Sequence, residues 1–280
     1  MTVIGAEDGL DHLVAALHGG GRLRVWSLVI TVFGDAIQPR GGQVSSARLQ
    51  RLFEMLRVEP GAVRTALSRL TRDGWLERDR DGRGSLYRLS ASGREAFAPA
   101  TELIYAAPRR GPVEEWVLAT GVDGARLRGI ALGGAVWLWP GDRPLPDLAG
   151  AEVLMHGPLP RIAPALRLSI PGAEHRDAMA AFLQLLAALD TCPQSPERAI
   201  AARILLVHAW CRIVLRFPDL PRELAPADWQ GTGCRALVAA RYRALLPASE
   251  AWLDAPVDSG AGLPAPGPRF AARFGLDSTA

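Results

Sequence analysis

The chain has 280 residues, 49% of them apolar, which is enough for two or three domains with buried cores. Its formal net charge is +3, its isoelectric point is about 9.1, and all 32 of its basic residues are arginine. We expect neither a membrane span nor a signal peptide, because no run of about 18 apolar residues occurs. The scattered Cys192, Cys211 and Cys234 exclude a paired-cysteine metal motif and indicate reduced thiols in a cytoplasmic protein.

Two helices and a short strand are predicted ahead of the most basic part of the chain. After a weakly structured leader, residues 1–21, a mostly apolar helix runs into Asp35. A short strand at Gln43–Ser45 precedes a second helix, which extends from its predicted N-cap Ser46 to Leu56. The lengths of these elements suit the first part of a three-helix DNA-binding domain.

A third helix, which starts near Pro60 and ends at Gly74, has one apolar and one basic side. Helical spacing places four apolar residues on the inner side: Val63, Ala66, Leu67 and Leu70. The opposite side carries the candidate DNA-contacting residues Arg64, Thr65, Ser68, Arg69 and Arg72. An ordinary solvated helix face is the alternative for this side if the helix is taken alone.

A hairpin is predicted directly after this helix. Its strands are Trp75–Arg78 and Leu86–Leu89, and the turn between them is rich in Asp and Gly and holds Arg80 and Arg83. A basic helix followed by a basic hairpin is the arrangement by which a winged helix-turn-helix contacts DNA, with the helix in the major groove. We therefore interpret residues 22–107, which end in a helix from Ser92, as a winged helix DNA-binding domain.

The middle of the chain, residues 112–171, is predicted to be a small α+β domain after a Pro- and Gly-rich linker. Its order is strand, helix, strand, strand, which fits a ferredoxin-like domain. The predicted elements are strands at Glu115–Thr120, Ala135–Trp139, Glu152–His156 and Ala165–Ile170, and a helix at Asp123–Leu132.

The last part of the chain is predicted to be helical, so the fold class is α+β multidomain. Residues 172–254 hold three helices, at Arg176–Leu189, Ser195–Leu215 and Gly233–Leu253. The Pro-, Gly- and Ala-rich residues 255–280 are predicted to be a disordered tail.

Several runs across this chain, from about residue 22 to residue 253, resemble the PaaX-like phenylacetate-catabolism repressors. The runs that carry the resemblance are Trp26–Leu28, Thr31–Asp35, Arg40–Gly42, Val63–Leu70, Asp73–Leu76, Gly82–Leu89, Arg203–Trp210, Leu215–Pro218, Leu220–Pro221 and Leu224–Gly231. Two positions depart from the family pattern: Cys211 stands where a second arginine is expected beside Arg212, and Phe217 stands where the family tends to have aspartate.

The resemblance implies a winged helix, a ferredoxin-like middle domain and a helical C-terminal effector and dimerisation domain. It further implies a dimeric cytoplasmic repressor, associated with the bacterial nucleoid when bound to operator DNA. Such a repressor controls aromatic catabolism and is released by an aryl-CoA thioester, phenylacetyl-CoA. Because Cys211 and Phe217 depart from the pattern, a different acyl-CoA remains an alternative effector.

The candidate site residues divide into two sets. On the DNA side, Arg64, Arg69 or Arg72 are expected to pair with guanine, while Thr65 and Ser68 bond to phosphates or bases. Arg80 and Arg83 are expected to contact the DNA backbone or the minor groove.

The candidate effector site lies on the C-terminal helices, where His208 and Arg212 share a helix face and Trp210 and Trp229 supply apolar walls. The alternative is that His208 and Trp229 are packed structural residues.

Catalysis is not expected, because no GxSxG, HExxH or P-loop motif and no clustered His or carboxylate set occurs in the chain. No cofactor and no metal are predicted. A nuclease-like middle domain is the enzymatic alternative, and it rests on fold analogy alone. A winged-helix protein that acts without a small-molecule effector is the second alternative.

Overall fold

The computed structural model describes residues 10, 14–15, 24–81, 84–189, 195–257 and 261–275. The chain has an α+β fold and separates into two compact units whose segments alternate along the sequence. Unit 1 draws on Met1–Ala107, Leu183–Cys211 and Arg235–Ala280, and unit 2 on Pro108–Phe182 and Arg212–Cys234. The two units are defined by compactness alone and do not test the three consecutive domains expected from the sequence, which stay a prediction.

The first half of unit 1 contains the helices and the hairpin that the sequence pattern predicts. A π-helical turn, Phe33–Ile37, directly continues the first helix. The other elements are α1 (Val25–Val32), β1 (Gln43–Ser45), α2 (Ser46–Met55), α3 (Pro60–Arg72), β2 (Leu76–Asp81), β3 (Gly84–Leu89) and α4 (Ala91–Ile104).

Side-chain caps fix where two of these helices begin. The N-cap of α2 is Ser45 rather than the predicted Ser46, because the Ser45 hydroxyl accepts a hydrogen bond from the Arg48 amide at 3.2 Å. Ser90 caps α4 in the same way through the Gly93 amide at 2.9 Å. A hydroxyl acceptor at each position satisfies one of the backbone donors that a helix start leaves unpaired.

Strands β1, β3 and β2 form a three-stranded antiparallel sheet in that order. Helix α3 packs its apolar stripe inward, and the four residues predicted for that stripe are all buried. On β3 the burial alternates, as it does in a strand with one face on the core. The buried Tyr87 therefore belongs to the core of the hairpin.

The second half of unit 1 consists of helical segments and the C-terminal residues. Helices α7 (Pro196–Val214) and α8 (Cys234–Asp254) supply most of its buried surface. Residues 261–275 pack on this unit as well, since Arg273 and Phe274 are 7% and 2% exposed. The expectation of a disordered tail is therefore wrong for residues 261–275, where buried contacts offset the cost of ordering the chain.

Arg48 is 3% exposed and is buried against α8. Its guanidinium donates to the carbonyls of Trp252 at 3.2 Å and Ala255 at 2.6 Å. A cation at this end of a helix satisfies carbonyls that have no partner inside the helix. The buried Arg40 forms an ion pair with Glu250 at 2.6 Å on the same helix.

Unit 2 is built on a four-stranded antiparallel sheet of strands β4 (Trp116–Thr120), β5 (Ile130–Gly133), β6 (Val136–Pro140) and β7 (Val153–Gly157). The strand order is β5-β6-β4-β7, with β7 at one edge. The sheet packs on an apolar cluster that includes Trp116, Leu138 and Leu224.

Two predicted elements of unit 2 are wrong. The predicted helix at Asp123–Leu132 is a glycine-containing turn that leads into β5, and the predicted strand at Ala165–Ile170 is the helix α5 (Pro164–Ser169). A ferredoxin-like domain needs helical connections after its first and third strands. Residues 121–129 and 141–152, which make these connections, contain no helix, so the predicted ferredoxin-like fold is not confirmed.

The turn is irregular because tryptophans of β6 pack directly against its glycines. A Cβ atom on Gly124 would stand 2.0 Å from the Trp137 ring, and one on Gly129 would stand 2.7 Å from the Trp139 ring. Helix α6 (Ala173–Leu189) follows α5. Within the described ranges, no helix combines the length and the apolar character that crossing a membrane requires.

Candidate nucleic-acid interface

The outward side of α3 presents a basic surface on a helix whose other side is fixed in the core. All five candidate residues on this side, Arg64, Thr65, Ser68, Arg69 and Arg72, are exposed. The Thr65 hydroxyl also donates to the Gly61 carbonyl one turn earlier, at 2.9 Å. The helix therefore holds three guanidinium groups and two hydroxyls at defined positions over about two and a half turns.

The arginines of this surface differ in how they are paired. Arg69 approaches a carboxylate oxygen of Asp73 at 3.3 Å, and Arg72 approaches the other at 3.5 Å. Both arginine side chains are more than half exposed, so water and salt screen these pairs strongly. Among the described residues, Arg64 has no ion pair or side-chain hydrogen bond, which leaves its donors available to a ligand.

The hairpin next to α3 carries basic side chains of which two are engaged within the hairpin. Arg78 donates to the Ser85 hydroxyl at 2.9 Å, and Arg88 pairs with Glu77 at 2.8 Å and with Asp79. These acidic neighbours raise the pKa of Arg88, so its charge is fixed. Arg80 is exposed. Arg83 lies outside the described residues.

Backbone and hydroxyl contacts join the end of α3 to the hairpin and to the start of α4. The Trp75 amide donates to the Leu70 carbonyl at 2.9 Å, and the Ser90 amide donates to the Trp75 carbonyl at 3.0 Å. The Ser90 hydroxyl also donates to the Gly74 carbonyl at 2.5 Å. Because Gly74 has a φ of +77°, a conformation that glycine adopts without strain, the chain turns sharply here. The three elements thus share one hydrogen-bonded corner.

A buried charge network lies at the π-helical turn that follows α1. The carboxylate of Asp35 is completely buried and pairs with Arg203 at 2.7 Å and with Arg273 at 3.0 Å. The hydroxyls of Tyr105 and Tyr242 donate to the same carboxylate at 2.7 and 2.9 Å. The network joins five parts of unit 1 that lie far apart in the sequence, and no local sequence pattern predicts it.

The protonation state of Asp35 follows from this arrangement. Burial by itself raises the pKa of a carboxylate, but Arg203 and Arg273, together with the two tyrosine hydroxyls, hold the pKa of Asp35 below its usual value of 3.8. The same contacts with Asp35 raise the pKa of Arg203 above that of a free guanidinium, against the effect of burial. Asp35 is therefore ionised at neutral pH.

The structure accounts for His208 and Trp210 by packing within unit 1. The His208 Nδ1 atom lies 3.0 Å from the Thr31 hydroxyl in a buried hydrogen bond, and the Trp210 Nε1 group donates to the Ile104 carbonyl at 2.9 Å. Arg235 lies over the Trp210 ring at 5.0 Å and donates to carbonyls at the same end of α4. Both candidate effector residues thus have structural partners.

The other two candidates, Arg212 and Trp229, belong to unit 2. Arg212 is exposed, whereas Trp229 is 7% exposed and meets the His175 ring edge-on at 4.7 Å. The His175 ring also stacks on Phe217 at 4.3 Å. Phe217, one of the departures from the family pattern, is therefore part of an aromatic cluster. The four candidate effector residues divide between the two units, and their role in binding a ligand stays a prediction.

We expect His175 to make the stability of unit 2 depend on pH. Burial lowers the pKa of His175 from 6.5 to about 4, so the unfolded chain binds more protons than the folded chain between these values. Stability is then highest above pH 6.5 and falls as the pH drops towards 4, by at most about 3 kcal/mol. In urea unfolding at several pH values, His175→Phe should keep the ring stacking and flatten this dependence. An unchanged slope would contradict the assignment.

The fold and the exposed side of α3 together indicate a class of protein. An exposed, arginine-bearing helix that is followed at once by a hairpin is typical of the surfaces with which DNA-binding proteins contact their target. This surface lies on a unit of an α+β chain, on a helix whose apolar side is buried in the core.

Comparison with known proteins identifies the family. The family model described as PaaX-like protein matches residues 24–93, and that of the PaaX-like protein C-terminal domain matches residues 170–255. The transcriptional repressor PaaX of Escherichia coli strain K12 is 31% identical over 302 residues, covering 95% of this chain and 93% of that protein. The chain belongs to the PaaX-like family, which confirms the resemblance seen in the sequence.

A solved structure shares the fold at a lower level of sequence similarity. The uncharacterized protein Rv0674 from Mycobacterium tuberculosis matches with a TM-score of 0.51 and 21% identity, covering 81% of this chain and 97% of that protein. That likeness concerns the fold alone. The E. coli relative is named as a regulator rather than an enzyme, which agrees with the expectation that this chain is not an enzyme.

Proposed function

We propose that the chain is a DNA-binding transcriptional repressor in which residues 22–107 act as a winged helix. The observation that carries the proposal is the exposed basic side of α3, whose arginines project from a helix that is packed on the core and joined to a hairpin. In this arrangement α3 enters the major groove and the hairpin lies over the phosphates. The named function of the E. coli relative supports the same role.

Within this proposal, Arg64 is the best candidate for base recognition. It is exposed, and its donors are free to form the paired bonds that a guanidinium makes with guanine O6 and N7. Arg69 and Arg72 would exchange Asp73 for DNA, which costs little because those ion pairs are exposed. Arg80 and Arg83 would bind phosphates and add salt dependence to the affinity.

We further propose that the repressor controls genes of aromatic catabolism and is released from its operator by an aryl-CoA thioester, with phenylacetyl-CoA as the first candidate. The support is membership of the PaaX-like family together with the near-complete coverage of the E. coli repressor. Release follows if the thioester binds more tightly to a conformation that misplaces the recognition helix.

The experiment that tests this function compares a deletion strain with its parent. Transcription from the promoter upstream of the gene, and from nearby aromatic-catabolism operons, is measured with and without phenylacetate. A repressor predicts high transcription in the deletion strain under both conditions, and induction by phenylacetate in the parent alone. Equal transcription in both strains would contradict the proposed function.

We also propose that the chain acts as a homodimer, and that the edge strand β7 contributes to the interface. Val153, Leu154 and Met155 on this strand are 48%, 46% and 61% exposed, an unusual run of bare apolar side chains on a sheet edge. Antiparallel pairing of β7 with its copy around a two-fold axis would pair the exposed backbone edge and cover part of each of these side chains against its neighbour on the other strand.

Met155→Glu is therefore expected to shift the chain from dimer to monomer. A charge at the centre of this strand would be desolvated, and repelled by its copy, when two strands pair. Light scattering after gel filtration measures the mass directly. Leu168→Glu, at an apolar residue on α5 that is 58% exposed, is the matched control and should leave the mass unchanged. A dimer that survives Met155→Glu would exclude β7 from the interface.

A further inference from the structure

A groove of about 900 Å³ opens in unit 1 next to the buried charge network. Helix α4 lines it through residues that include Phe97, Ala98 and Thr101. Six residues of the C-terminal segment between Gly267 and Arg273 also line the groove, as does Gly34 of the π-helical turn. None of the four effector candidates from the sequence analysis lines this groove.

The lining combines aromatic rings with an excess of positive charge. Phe97 and Phe270 are half-buried and border the groove, and Arg94 and Arg269 are exposed at it. Glu102 is the only carboxylate among the lining residues. One donor of Arg94 bonds to the Leu89 carbonyl at 2.7 Å, while Arg269 has no ion pair or side-chain hydrogen bond within the described part of the chain. Unpaired guanidinium donors beside aromatic rings match a ligand that has both an anionic and an aromatic part.

The size of the groove narrows the choice of ligand further. A volume of about 900 Å³ lies at the upper end of the range for small-molecule sites, about 300–1,000 Å³. A free aromatic acid would fill only a small part of it, whereas a thioester that carries a nucleotide and phosphates would occupy much of it.

We propose that this groove binds an aromatic organic anion, and that the effector of the proposed function, an aryl-CoA thioester, occupies it. The aryl group lies against Phe97 and Phe270, and the phosphates are held by Arg94 and Arg269. The identity of the ligand as a thioester rests on the proposed function, while the site itself rests on the lining of the groove.

The groove is connected to the DNA-contacting elements by close packing. A Cβ atom on Gly34 would stand 1.8 Å from the Phe97 ring, so the ring of α4 is pressed against the backbone of the π-helical turn. Arg273 donates to the Gly34 carbonyl at 2.9 Å and to Asp35, so the C-terminal segment is tied to the same turn.

A ligand that displaces Phe97 or the C-terminal segment would therefore move α4 relative to α1. The start of α4 is bonded to Gly74 at the end of α3 through Ser90. The displacement is passed from the groove to the recognition helix through this corner, which is the route by which the ligand lowers the affinity for DNA.

Blocking the groove without removing any of its contacts provides the test. Ala98→Trp fills the groove from an exposed position on α4, and Ala96→Trp, also exposed on α4 but outside the lining, is the matched control. The full-length variants and the parent protein are titrated with phenylacetyl-CoA in a calorimeter, and with anilinonaphthalene sulfonate, an aromatic anion, by fluorescence. Operator binding without ligand is measured for all three proteins and should be equal. Arg269→Ala, with Arg243→Ala as its control, tests in the same titrations whether the charge of Arg269 contributes to binding of the two probes.

The expected result is that Ala98→Trp weakens binding of both probes about tenfold or more while Ala96→Trp leaves it unchanged. The parent protein could bind the sulfonate but not phenylacetyl-CoA, and Ala98→Trp could abolish binding of the sulfonate. That result would support the groove as a site for aromatic anions and contradict the proposed effector. If Ala98→Trp binds both probes as the parent does, or if the parent binds neither, the groove is not the site and the inference is overturned.

Discussion

Replacement of Asp35 by asparagine is expected to lower the free energy of unfolding of unit 1 by about 3–5 kcal/mol. The change keeps the size of the side chain but removes the charge that Arg203 and Arg273 share, and both arginines are almost fully buried. They cannot recover the lost interaction from water, so the variant retains their desolvation cost without its main compensation. Urea unfolding monitored by tryptophan fluorescence measures the loss.

A matched control separates the effect of losing a buried charge from the effect of losing an exposed one. Asp79→Asn removes a carboxylate that pairs with Arg88 in the same unit, but this pair is about half exposed and its loss should cost no more than about 1 kcal/mol. Because the pKa of Asp35 in the folded chain lies below 3.8, its contribution is fully present above that value and is lost as the pH falls below it. Equal destabilisation by the two substitutions would contradict the role given to the network.

Arg64→Ala is expected to weaken binding to the operator by about 1–3 kcal/mol and to relax the preference for one base pair. The side chain is exposed and supports no other residue in the described part of the chain, so its loss should leave the stability unchanged. Fluorescence anisotropy with operator variants, each mutated at one position, measures both effects in one series.

Two further variants make the Arg64 result specific. Arg80→Ala removes an exposed hairpin charge and should weaken binding to all duplexes alike, with the salt slope reduced by about one. Arg243→Ala, at an exposed arginine on α8, should leave operator affinity unchanged. If Arg64→Ala behaved like Arg243→Ala, Arg64 would not read the bases.

The sequence predicts the elements of unit 1 well because their periodicity is strong and local. The apolar stripe of α3 identifies its buried side, and the turn residues after it identify the hairpin. Prediction from the sequence fails in unit 2, where local signals are weak. The run at Ala165–Ile170 is too short for its period to distinguish a strand from a helix. Pro164 favours the start of a helix at this point, and the run is helical.

Contacts between residues that are far apart in the sequence cannot be predicted from local patterns. Asp35 lies 168 residues from Arg203 and 238 residues from Arg273, so no local pattern reveals the network. A carboxylate inside an apolar helix was the one available signal, since such a group is seldom buried without a partner. The buried role of Arg48 is hidden for a related reason, since a sequence does not distinguish an exposed arginine from one that caps a helix.

The affinity of the full chain for the DNA upstream of its own gene, relative to a shuffled duplex of equal length at one fixed salt concentration, tests the central claim most directly. A sequence-specific repressor predicts a preference for the native duplex of about a thousandfold or more, lost when phenylacetyl-CoA is added but retained with free phenylacetate or free CoA. Equal affinity for the two duplexes would contradict sequence-specific binding at this promoter. A preference that no aryl-CoA thioester reduces would leave the DNA-binding role in place and contradict the release mechanism.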